Sequence, residues 1–148
     1  MDKYSKIITQ FIESINLFNE LEKRPRYYGT KYLLYNSEID TLVIIGDRKE
    51  VNLTQLSKEL GISKSGTTRF VKKLLEKDLI VKSKKEGNAK EVIFTLTKIG
   101  TIAYKERVAF NKNTYNRLHG NVCRYVDNDL NRISEFLNTT NEELKKLL

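Results

Sequence analysis

Leu53-Thr54-Gln55-Leu56-Ser57-Lys58-Glu59-Leu60-Gly61-Ile62-Ser63-Lys64-Ser65, continued by Gly66-Thr67-Thr68-Arg69-Phe70-Val71-Lys72-Lys73-Leu74-Leu75, is the stretch on which the fold turns. Leu56 and Leu60 lie four apart, on one face of a short helix that Thr54 is placed to cap. Gly61 suits the left-handed residue that ends such a helix, and Ile62 is expected to plug the corner behind it. Ser63 then opens a second helix, expected to run to about Lys77. Its Thr67, Phe70, Val71, Leu74 and Leu75 recur at the i, i+3, i+4 spacing of a buried stripe.

The opposite face of that second helix carries Lys64, Ser65, Thr68, Arg69, Lys72 and Lys73. Two short amphipathic helices across a tight glycine turn make a helix-turn-helix. A helix with one apolar face and only cations and hydroxyls on the other suits a DNA major groove. Residues at its start reach base edges and its lysines reach phosphates. The charge is focused in the same place. Residues 48–90 hold 12 Lys or Arg and 5 Asp or Glu, which is +7 of the chain's +8, while residues 1–47 and 119–148 are each at −1. A generally basic chain would spread its charge; a focused potential attracts and steers polyanions.

Beyond the second helix, residues 79–84 and 91–96 are β-branched and aromatic-rich, and Glu86-Gly87-Asn88-Ala89 reads as the turn between two strands. A hairpin after a helix-turn-helix is a wing. Thr97 is placed to cap a long helix through Ile99, Ile102, Ala103 and Phe110, which Gly120 is expected to interrupt. Val122, Val126, Leu130, Ile133 and Leu137 stripe a further helix, and Thr140-Asn141-Glu142-Glu143 reads as a capping box opening a last short one. Upstream, residues 3–22 form a helix with Ile8, Phe11, Ile12, Ile15, Phe18 and Leu21 on one stripe, stopped by Lys23-Arg24-Pro25-Arg26. Tyr27, Tyr28, Tyr32 and Tyr35 make an aromatic connector. Ser37 is expected to cap a helix to about Gly46, and residues 51–53 a short extended piece.

The fold class expected is therefore mainly α with a small β-hairpin wing (α+β). It is a single unit of residues 1–148, with a winged helix-turn-helix at 37–97 and dimerisation helices at 1–22 and 98–148. The apolar stripes of the end helices exceed what one small winged domain covers. The economical solution is a twofold interface through Ile8, Phe11, Ile15, Phe18, Val126, Leu130, Ile133 and Leu137. Packing within the chain is the alternative.

At 148 residues and 39% hydrophobic content, the chain is long enough for a real core, and its six Phe and eight Tyr argue against disorder. No apolar run approaches the roughly 20 residues of a membrane span, so no membrane partner is expected. No signal-peptide core follows the first residues. The single cysteine, Cys123, permits no intrachain disulfide, and a cytoplasmic location is expected.

From Ser37-Glu38-Ile39 through the stretch quoted above and Leu74-Leu75-Glu76-Lys77-Asp78-Leu79-Ile80, closing on Phe94-Thr95-Leu96-Thr97-Lys98-Ile99-Gly100, the chain resembles the MarR family of winged helix-turn-helix regulators. The resemblance spans nearly the whole length. It implies a homodimer with intertwined terminal helices and two recognition helices in successive major grooves. It also implies a transcription factor, commonly a repressor released by a small ligand, an oxidant or a metal. The family's wing usually carries Asp-x-Arg, whose Arg enters the minor groove; the matching positions here are Asn88-Ala89-Lys90. Lysine lacks the planar fork of arginine. The wing is therefore expected to contact mainly phosphates, through Lys84, Lys85 and Lys90.

The full set expected at DNA is Ser63, Lys64, Ser65, Thr68, Arg69, Lys72, Lys73, Lys84, Lys85, Asn88 and Lys90. His119 and Cys123 are the only His and Cys, four apart on one face if the helix continues through Gly120. They could begin a zinc or copper site, with Asp127 the one carboxylate nearby, or simply pack at an interface. No metal and no cofactor is expected. The tyrosine connector either lines a pocket for a hydrophobic effector of unknown identity or packs beneath the dimer helices. No catalytic constellation and no phosphate-cradling glycine loop is present, so no enzymatic activity is expected. The alternative function is a winged-helix module whose basic face meets an acidic protein partner. The hydroxyl-rich, cationic start of the helix at Lys64 favours DNA.

Overall fold

A computed structural model describes residues 2–148. Its elements are α1 (Lys3–Lys23), α2 (Asn36–Arg48), β1 (Val51–Asn52), α3 (Leu53–Leu60), α4 (Lys64–Glu76), β2 (Ile80–Lys85), β3 (Asn88–Leu96), α5 (Lys98–Val122) and α6 (Asp127–Lys146). The chain divides into two compact units, the first ending at Val108 and the second running from Ala109 to Leu148. No helix among the described residues is long and apolar enough to cross a membrane.

The first unit is built around α2, α3, α4 and a three-stranded antiparallel sheet of order β1-β3-β2. Leu34, Ile39, Leu42, Ile45, Val51, Leu56, Leu74, Leu79 and Ile80 are fully buried and form its core. The apolar stripe expected on α4 is there: Thr67, Val71 and Leu74 are buried and Phe70 and Leu75 half-buried, while Lys64, Ser65, Thr68, Arg69, Lys72 and Lys73 are exposed. The wing is wider than a hairpin, because Val51 and Asn52 pair with Phe94 and Ile93.

Helix starts differ from the sequence reading in instructive ways. Asn52, not Thr54, caps α3: its side chain accepts from the Gln55 N–H while Gln55 Oε1 accepts from the Asn52 N–H, both at 2.9 Å. The capping box lies two residues upstream because Leu53 already belongs to the helix. Likewise Tyr35, not Ser37, precedes α2, and Glu38 reaches back to the Tyr35 N–H at 2.9 Å. Gly61 takes the left-handed conformation expected of it, at φ 65. Ile62 is 39% exposed and does not plug the corner. Ser63 caps α4 as expected, its Oγ accepting from the Gly66 N–H. The wing turn is only Glu86-Gly87, with Gly87 at φ 75; Asn88 and Ala89 belong to β3, opposite a bulge between Lys84 and Lys85.

Thr97 opens α5. Its hydroxyl donates to the Asp78 carbonyl at 2.7 Å and accepts from the Gly100 N–H at 2.9 Å. α5 runs through Gly120 to Val122, so that glycine does not interrupt it; the break is at residues 123–126. A glycine in a helix costs roughly 1 kcal/mol and can be carried by a helix of this length. Val126 is the N-cap of α6 rather than part of its stripe. Thr140-Asn141-Glu142-Glu143 opens no new helix either. The Thr140 hydroxyl bonds back to the Phe136 carbonyl at 2.7 Å, and α6 continues.

Candidate nucleic-acid interface

The candidate DNA-facing surface consists of the exposed side of α4 and the outer part of β2 and β3. α4 is held from both ends. At its start Ser63 caps it, and its hydroxyl is 3.0 Å from that of Ser65. At its end Lys77 Nζ lies 2.7 Å from Glu38 Oε1 and 3.1 Å from the Leu33 carbonyl. Glu38 is 1% exposed and is satisfied on both oxygens, by Lys77 and by the Tyr35 N–H. A buried carboxylate is tolerable only when paired in this way. The pair joins the first turn of α2 to the end of α4, which fixes the presentation of the cationic face.

On that face, side chains differ in freedom. The Thr68 hydroxyl donates to the Lys64 carbonyl at 2.7 Å, leaving its lone pairs as acceptors for an outside donor. The Arg69 guanidinium lies over the Phe70 ring, 5.4 Å from its centroid. Lys72 makes a 3.9 Å pair with Glu76, which at an exposed i,i+4 site is worth little and breaks easily.

In the wing, all of residues 81–90 are exposed. Lys84 and Lys90 have exposed side chains. Lys85 is 3.3 Å from Glu91, so part of its charge is already compensated. Glu91 also accepts from Asn52 Nδ2 at 2.6 Å, and that bond, with those to Lys85 and Asn88, holds its carboxyl below the ordinary range despite slight desolvation. Asn88 Oδ1 accepts from the Lys90 N–H at 3.2 Å, so Asn88 shapes the wing backbone rather than reaching outward through that oxygen. Sequence reasoning omitted Lys82. It is exposed on β2 and edges a groove of about 680 Å³ between α4 and the sheet, floored by Val71, Leu75, Val92 and Phe94. Its place in the +7 stretch was the available signal.

A second cluster went unseen in the sequence. Arg107 on α5 is 5% exposed; its Nη2 bonds Glu22 Oε2 of α1 and lies 3.8 Å from Asp40 Oδ1 of α2, and its Nη1 is 3.4 Å from the Tyr28 hydroxyl. Burial opposes the charge on Arg107, but the Glu22 and Tyr28 contacts outweigh it and raise its pKa. Burial is also the main influence on Asp40; with Glu22 nearby it raises that carboxyl's pKa, against the pull of Arg107. Partners 85 residues apart in sequence leave no local pattern to read.

The tyrosine connector does not gather into one site. Tyr28 is buried against Arg107, whereas Tyr27 and Tyr35 are each more than half exposed. His119 and Cys123 do meet, with Sγ 3.5 Å from Nδ1, but both are exposed. Among the described residues no three His, Cys, Asp or Glu side chains are grouped as a metal site.

Comparison with known proteins places this geometry. The MarR family is matched over residues 34–92, from the core of the connector to the wing. The chain is 25% identical over 129 residues to an HTH-type transcriptional regulator, YhjH, of Bacillus subtilis, covering 87% of this chain and 71% of that one. It is 25% identical over 147 residues to the transcriptional regulator ZitR of Lactococcus lactis, covering 98% and 96%. The crystal structure of ZitR, described as a zinc-responsive MarR family member, superposes with a TM-score of 0.78 at 24% identity over 95% of this chain and 99% of that one. Streptococcus pneumoniae FabT, solved in complex with DNA, gives 0.75 at 20% identity over 99% and 100%. YhjH and ZitR are transcriptional regulators, and the segment matched to the family runs from Leu34 into the wing. Residues 34–92 thus match the MarR family, and the fold of the chain is that of the winged helix-turn-helix structures it superposes on.

Proposed function

We propose that this protein is a sequence-specific, double-stranded-DNA-binding transcriptional regulator, a dimeric repressor acting on a pseudo-palindromic operator. The observation that carries the reading is the exposed face of α4. Lys64, Ser65, Thr68, Arg69, Lys72 and Lys73 all stand free of the core, on a helix whose other side is locked by Thr67, Val71 and Leu74. Ser63, Lys64 and Ser65 at the helix start approach base edges and backbone, Arg69 reads a base, and Lys72 and Lys73 meet phosphates. Lys84, Lys85 and Lys90 of the wing add phosphate contacts, with Asn88 shaping the strand that carries Lys90.

The dimer is supported by apolar surface left uncovered on the helices outside residues 37–97. Ile8 is 54% exposed, and Ile15, Phe18, Ile133 and Leu137 are exposed as well, with Val126 exposed at the N-cap of α6. Phe11 and Leu130 are half-buried. Exposed stripes of this extent on long helices mark an association surface, and a second copy is the partner with matching stripes. The relatives' role as regulators supports a regulatory function, of which repression is the reading proposed, and a twofold arrangement would match a symmetric operator.

The test is a gel shift with the DNA upstream of the protein's own gene, with and without excess nonspecific DNA. Retention of one shifted band under competition is expected. Equal loss of the band on operator and random DNA would remove sequence specificity from the proposal. Failure to shift any DNA, with capture of acidic peptides instead, would favour a protein-interaction module.

A further inference from the structure

Zinc responsiveness belongs to a relative of this chain, and the residues here do not fit a zinc ion. The one histidine and one cysteine stand exposed with no third ligand grouped beside them among the described residues. Carboxylates of α1 and α2 do converge, at Glu22 and Asp40, but the charge between them is already supplied from α5 by the guanidinium of Arg107.

The geometry points to Arg107 as a built-in cationic latch that sets the position of α1 against the winged head, without a metal. Three observations carry this. α1 has no buried residue, so little apolar packing within the chain holds it. Its last turn nevertheless carries Glu22, bonded to a guanidinium that is almost wholly buried. The same guanidinium reaches Asp40 of α2 and the hydroxyl of Tyr28 in the connector between the two helices. A planar fork can engage several such acceptors at once, where a lysine ammonium provides one point of charge. Removing one partner of a buried pair leaves the other uncompensated, so the latch is coupled to everything it touches.

The consequence for DNA rests on the function proposed above: if α1 is a dimerisation helix, the latch sets the angle, and so the spacing, of the two reading heads. The experiment is hydrogen–deuterium exchange of α1 in the full-length protein, with operator affinity measured on the same samples. Wild type, Arg107→Met, Arg107→Lys and Glu22→Gln are compared, each in zinc excess and in EDTA. Exchange reports local opening directly and requires no DNA. In wild type, neither zinc nor EDTA should alter α1 exchange or affinity. Arg107→Met and Glu22→Gln should speed exchange in the last turns of α1 and weaken operator binding by at least about fivefold, the lower end of ordinary coupling between sites. Arg107→Lys should fall between them and wild type.

Glu22→Gln keeps the side-chain volume and leaves Arg107 its contacts to Asp40 and Tyr28, so it decides the matter if Arg107→Met does not fold. Unchanged α1 exchange in Glu22→Gln would overturn the latch, as would a wild-type response to zinc. A wild type that binds no DNA would overturn the function proposed above while leaving the exchange result to judge the latch.

Discussion

Gly100, in the first turn of α5, lies so close to the Leu79 carbonyl oxygen that a Cβ built on it would stand 1.8 Å away. That oxygen also accepts from the Thr97 N–H at 3.1 Å, so the strand–helix junction cannot retreat without losing a hydrogen bond. Gly100→Ala should therefore destabilise the fold by about 1–3 kcal/mol, the ordinary cost of overpacking, measured by urea denaturation. Gly61 needs glycine for a different reason, its positive φ, and has open space around its Cβ position. At the same scale, the cations of the reading surface should separate by chemistry. Arg69→Ala should flatten the difference between operator and scrambled DNA, because a forked guanidinium–guanine contact is worth about 1–3 kcal/mol of discrimination. Lys90→Ala should keep base preference and lower the slope of log affinity against log salt by about 0.9, one phosphate contact. A salt series on both variants with both DNAs separates the two roles.

At the scale of elements, Asn52 joins three of them. It pairs in β1, caps α3 and donates to Glu91 in β3. Asn52→Ala should cost about 1 kcal/mol through the lost cap, with a further part that depends on pH. Glu91 has its folded pKa depressed from 4.5, chiefly by the Asn52 bond. Stabilisation from such a group is present above the unfolded pKa and is lost as pH falls through the folded value. The gap in melting temperature between wild type and Asn52→Ala should therefore be constant near neutrality and narrow as pH falls below 4.5. A gap that stayed constant as pH fell through this range would show that the Glu91 bond contributes nothing.

For the whole molecule, the uncovered stripes of α1 and α6 predict the oligomeric state. A chain lacking residues 1–22 should sediment as a monomer or precipitate, because exposed side chains such as Ile8, Ile12 and Phe18 lose their place in the interface. The intact protein should bind best to an operator with half-site centres about one helical turn, ~10 bp, apart. A truncated monomer that kept full affinity for an inverted repeat would refute the twofold reading.

What the sequence determined by itself lay in local periodicity and local charge. The stripe of Thr67, Val71 and Leu74, the left-handed Gly61, the Ser63 and Thr97 caps and the concentration of lysines in residues 48–90 were all legible, because helices and turns are encoded by neighbours. Cap positions slipped by two residues at Asn52 and Tyr35, where several polar residues compete and the strand or connector before the helix decides between them. Only the tertiary structure decided that Val51 and Asn52 join the wing sheet, that Lys77 neutralises the buried Glu38 from the far end of α4, and that Arg107 meets Glu22 and Asp40. Each of these brings together residues about 40 or more positions apart along the chain, save Asp40 and Glu22, which meet only through Arg107. Burial raises the consequence of such a pairing, and no spacing along the chain can announce it.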